Sequence, residues 1–104
     1  MTKTNNLQTN LLKLIFKHEG DAEYFQGKIY TDPSLGITSE EDLFEVAELL
    51  RFRHLIKVKE SFSNHIVALY LTEDGLFWLL ENNIINQTAF DLRKARYLSG
   101  FHEV

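Results

Sequence analysis

Between Thr38 and Glu81 the apolar positions change period twice, from helical spacing to strict alternation and back. Leu43, Val46, Ala47 and Leu50 recur at intervals of three and four, which predicts a helix with one buried stripe, and Glu41, Glu45 and Glu48 fall on its opposite side. Thr38 and Ser39 precede it, and both Thr38-x-x-Glu41 and Ser39-x-x-Asp42 have capping-box spacing. From Leu55 to Lys59 the pattern alternates, with Ile56 and Val58 on one face and Lys57 and Lys59 on the other, as in a half-buried strand. Ser61-Phe62-Ser63-Asn64 reads as a turn with Phe62 at its tip, and His65 to Leu71 as a return strand apolar on both faces. Thr72 caps a further helix that directs Leu76, Leu79 and Leu80 inward and Trp78 outward. Asn82-Asn83 ends it, since asparagine tolerates left-handed backbone.

The flanks complete the layout. Leu7, Leu11, Leu14, Ile15 and His18 lie on one stripe of a first helix over Asn6 to Glu19, with Phe16 on the other side and Gly20 as the stop. From Asp21 to Ile37 the expected pieces are a helical turn at Ala22-Glu23-Tyr24-Phe25, a short strand at Lys28-Ile29-Tyr30 and a turn at Asp32-Pro33-Ser34-Leu35-Gly36. A last helix runs from Thr88 to Ser99. It places Leu92, Ala95 and Leu98 on one apolar arc and Phe90 and Tyr97 on another, with Arg93, Lys94 and Arg96 among them.

Helix, hairpin and helix in this order, with Leu71-Thr72-Glu73-Asp74-Gly75-Leu76 opening the helix after the hairpin, resemble the Leu-Thr-x-x-Gly signature of bacterial winged-helix proteins. The span from Gly36-Ile37-Thr38 through Asn82 also resembles the small YjcQ-type winged-helix proteins of bacteria and their phages. The likeness extends over Leu11 to Asn82 and leaves the tail from Ile84 outside. It implies an α+β winged helix: helix, degenerate second helix, helix, β-hairpin wing and helix, with an added C-terminal helix. The whole of 1–104 is then a single winged-helix domain, with 84–104 as its extension. In that fold 21–37 supplies the second helix, or a substitute for it, and the first strand. Function does not follow from fold, because winged helices serve as DNA readers, RNA binders and protein-interaction modules.

Composition narrows the classes. At 104 residues with 44% apolar and 25% charged residues, the chain has the make-up of one globular domain. It has no cysteine, which excludes disulfides, thiolate nucleophiles and sulfur-ligated zinc. Met1 to Asn6 lacks the apolar run of a secretory signal, and no stretch approaches the roughly 20 apolar residues that cross a bilayer. A cytoplasmic setting without membrane contact is therefore expected, and Asn86-Gln87-Thr88 is not expected to be glycosylated. The five glycines are scattered, so no phosphate loop forms. His18, His54, His65 and His102 lack metal-ligand spacing, His18 reading as a core-edge residue. Serine and histidine occur in no recognisable nucleophile setting. No catalytic residue, metal or cofactor is expected, and a non-enzyme is the reading.

The net charge of −4 gives no general attraction to a phosphate backbone. In a DNA-reading winged helix the helix before the hairpin enters the major groove. Here it carries Glu40, Glu41, Asp42, Glu45 and Glu48, which repel a duplex. An acidic first turn suited to the helix dipole, followed by a solvated face, also explains them. Arg51, Arg53, Lys57, Lys59 and Asn64 form the candidate phosphate-contacting set. The plainer account is that they complement a helix end and protect a strand edge. Phe16, Phe52 and Trp78 each project from a helix away from its apolar stripe. With Phe90 and Tyr97 they form the candidate protein interface, unless the tail folds back and covers some of them.

The leading expectation is a non-catalytic protein-interaction module, homodimeric, acting as an adaptor or small regulator. The alternative is a DNA-binding transcriptional regulator that contacts phosphates through the wing. A phage-type inhibitor that imitates DNA with its acidic surface is a third.

Overall fold

The computed structural model describes residues 3–36, 39–60 and 66–100. Among these residues it is an α+β fold of five α-helices and a two-stranded antiparallel hairpin. Helix α1 (Lys3–His18) buries Leu11, Leu12, Leu14 and Ile15 and stops before Gly20, whose φ of 92° lies in the left-handed region that glycine enters without penalty. Helix α2 (Ala22–Gln26) is little more than a turn, capped by Asp21, which accepts from the Tyr24 N–H at 3.3 Å. It buries Tyr24 and Phe25. The Tyr24 ring stacks on His18 with centroids 3.7 Å apart, so His18 closes the edge of the core.

The strand expected at Lys28-Ile29-Tyr30 is instead a 3₁₀ turn, Lys28–Thr31. Its backbone is satisfied locally, Tyr30 N–H donating to the Gly27 carbonyl at 3.2 Å and Asp32 N–H to that of Ile29 at 3.3 Å. Ile29, fully buried, anchors it. A strand there needs a neighbouring edge, and among the described residues the sheet is the hairpin alone.

Helix α3 (Glu40–Phe52) starts at Ser39, whose hydroxyl accepts from the Asp42 N–H at 3.1 Å; Thr38 lies outside the described residues. Its inner stripe is Leu43, Val46, Ala47 and Leu50, as the spacing predicts. Strands β1 (Ile56–Glu60) and β2 (Ile66–Leu71) pair from Ile56 opposite Leu71 to Lys59 opposite Ala68, and a bulge follows before Glu60 opposite Ile66. The turn with Phe62 and Asn64, and His65, lie outside the described residues. Strand β2 is apolar on both faces because α1 and α2 pack against it.

Helix α4 (Glu73–Glu81) begins at a junction that explains the Leu-Thr-x-x-Gly motif. Leu71 is buried, and the Thr72 hydroxyl accepts from the Gly75 N–H at 3.0 Å while donating to the His54 carbonyl at 2.6 Å. Gly75 sits so close to the Leu55 carbonyl that any Cβ would collide with that backbone oxygen. His54 itself is held at φ 63°, which lets the chain leave α3 and enter β1 directly.

Helix α5 (Gln87–Leu98) is capped by Asn86, which accepts from the Ala89 N–H at 2.8 Å. It folds back on the body with Phe90 buried and Arg93 and Tyr97 half-buried, which leaves Leu92, Ala95 and Leu98 in solvent. No helix among the described residues is long and apolar enough to cross a membrane.

Candidate interaction surface

The outward face of α3 is acidic at its start and aromatic at its end. Glu41 and Glu45 are exposed, and Glu48 continues their row to Phe52, which is 84% exposed. At about 100° per residue, Phe52 falls in the middle of the row that Glu41, Glu45 and Glu48 define, with exposed Leu49 beside it. The helix therefore presents an apolar end flanked by carboxylates.

The cations of the phosphate-contacting set do not converge. The Arg51 guanidinium donates to Glu48 at 2.8 Å and lies 3.9 Å from Glu60, which spends its charge inside the α3–β1 corner. Arg53 turns the other way, donating to the Gln8 side-chain carbonyl at 2.6 Å, with its guanidinium carbon 5.9 Å from the centre of the Trp78 ring. The sequence assigns Arg53 to phosphate and Trp78 to protein. The structure places the two side by side, with Trp78 half-buried against the core instead of projecting outward. Lys57 and Lys59 stand exposed on the outer face of β1, and Asn64 lies outside the described residues.

Of the aromatic set, three members are engaged within the chain by the returning tail. Phe16 is covered by the Arg93 guanidinium, 4.1 Å from its ring centre. Phe90 is buried, edge-on to Phe77 at 6.2 Å. Tyr97 donates to Glu19 at 2.7 Å. Phe52 is the member that stays in solvent.

Glu19, which neither candidate set includes, is what draws the tail in. Its side chain is 0% exposed and accepts from Arg93 at 2.7 Å, from the Tyr97 hydroxyl, and from the Leu71 backbone N–H at 2.7 Å. One carboxylate thus ties α1, β2 and α5 together. Burial, then the neighbouring Glu19 charge, pushes the Tyr97 hydroxyl well above the usual tyrosine range, so it remains a donor. A linear signal for Glu19 does exist: a carboxylate at the negative end of a helix is out of place unless something cationic meets it. Gln8 gives a similar one, as an amide on the same stripe as Leu12 and Ile15.

No family model, curated protein or solved structure matches this chain.

Proposed function

We propose that this chain is a non-catalytic winged-helix protein-interaction module, homodimeric, acting as an adaptor or small regulator. The order of α1, α2, α3, hairpin and α4 supports the winged-helix assignment, the 3₁₀ turn standing where the first strand of that fold would be. The observation that carries the functional reading is the outward face of α3, where Phe52 and Leu49 close a row of carboxylates. This is the helix that would enter a major groove, and its surface repels phosphate while offering an aromatic anchor. The complementary partner is a segment with apolar side chains and flanking cations. Two copies of this face repel each other, so self-association falls to the exposed Leu92, Ala95 and Leu98 of α5.

A designed amphipathic Lys/Leu helical peptide tests the α3 face by calorimetry. Binding to the wild-type chain, weakened about tenfold or more in Phe52→Ser with the circular dichroism unchanged, is expected. Equal affinity for both chains contradicts it.

The DNA-binding regulator remains the second reading because Lys57 and Lys59 are exposed together on one face of the hairpin, with no carboxylate among the described residues bridging them. Two lysines are a small counterweight to the α3 face.

A further inference from the structure

A groove of about 690 Å³ opens where α1, the end of α3 and α4 meet, lined by Gln8, Lys13, Arg53, Trp78, Asn82 and Ile84 among others. Its size lies within the range of small-molecule sites. Its lining holds two cations and no carboxylate, in a chain whose net charge is −4. Lys13 and Arg53 have no ion pair among the described residues, in contrast to Arg51 two positions earlier. Arg53 is nevertheless fixed in place: Gln8, more than nine-tenths buried, accepts its N–H at 2.6 Å, and the Trp78 ring lies beneath it. A neutral carbonyl positions the guanidinium without neutralising it. Gln8 lines the groove, and its amide nitrogen has no hydrogen-bond partner among the described residues, which leaves a donor in the lining. Trp78 and Ile84 form an apolar wall beside these polar groups.

We propose that this groove binds a nucleoside monophosphate, its phosphate held by Lys13 and Arg53 and its planar base lying against Trp78 and Ile84. The amides of Gln8 and Asn82 stand within the same lining to meet the ring edge. The site is separate from the outward face of α3, and neither proposal depends on the other.

Trp78 is the single tryptophan of the chain, so its fluorescence reports on the groove directly. Titration with AMP is expected to change the emission saturably, with adenosine and inorganic phosphate each at least about tenfold weaker, because each offers half of the recognised chemistry. Lys13→Gln and Arg53→Gln are expected to weaken AMP by about tenfold each. Lys13 is exposed, so its replacement leaves folding intact and keeps the test valid if Arg53→Gln unfolds. A 5′-phosphorylated tetranucleotide separates a free ligand from a strand end, and tighter binding of the strand than of AMP overturns the assignment. So does an equal response to adenosine, an undiminished response in Lys13→Gln, or no saturable response up to about 10 mM.

Discussion

Three partners of Glu19 come from far along the chain: Leu71, Arg93 and Tyr97 lie 52, 74 and 78 positions away. Removing the carboxylate strands Arg93, whose side chain is only 14% exposed, and frees a backbone N–H at the end of β2. Glu19→Ala is therefore expected to destabilise the fold by about 3–5 kcal/mol in urea denaturation, and Glu19→Gln by less, since the amide oxygen still accepts. Equal effects of the two would assign the role to the negative charge and not to the shape of the side chain. Sequence alone shows Glu19 as an oddity at a helix end but cannot name its partners, because pairing over such separations is a property of the fold. Gln8 and Arg53, 45 positions apart, were illegible for the same reason. Phe52 is the opposite case: its exposure follows from helical phase alone, and it stays where that phase puts it.

At the scale of elements, what was legible depended on whether an element carries its own evidence. Helices α3 and α4 announce themselves by periodicity and by capping hydroxyls at Ser39 and Thr72, both of which accept the expected backbone N–H. Lys28-Ile29-Tyr30 offers one alternation and no partner, and the backbone closes into a 3₁₀ turn. Helix α5 has two competing faces. The one that packs is Phe90, Arg93 and Tyr97: Arg93 and Tyr97 reach Glu19, the Arg93 guanidinium also covers Phe16, and the Phe90 ring meets Phe77 edge-on. Hydrophobicity alone favours the other.

Docking of α2 and α5 through tyrosines has a pH signature. Burial, followed by bonding to Asp32, raises the Tyr24 hydroxyl just as burial and Glu19 raise that of Tyr97. A raised folded value means that the stabilisation is complete below the unfolded value of about 10 and is lost as pH climbs above it. Stability is expected to fall from about pH 10 upward, by about 1.4 kcal/mol per unit for each retained proton. In Tyr97→Phe the slope of that fall is expected to be shallower by one such increment. An unchanged slope would show that Tyr97 ionises freely in the folded chain.

Across the whole molecule, Arg51, Arg53 and Arg93 are engaged within the chain while carboxylates line α3 and Lys57 and Lys59 stand exposed on the hairpin. Arg51 is paired and Arg53 faces Trp78. Arg93 meets Glu19. Self-association through α5 predicts a mass near twice 12.2 kDa by light scattering, returning to the monomer value in the double variant Leu92→Glu, Leu98→Glu. A wild-type mass of 12.2 kDa at every concentration would remove the homodimer from the account.

The proposal that α3 meets protein and not a duplex is tested most directly by titrating fluorescent double-stranded DNA at low and at physiological salt, with wild-type chain and with Lys57→Glu, Lys59→Glu. No binding at physiological salt is expected, and the double variant is expected to behave as the wild type. Binding that falls steeply with salt and disappears in the double variant would contradict the account.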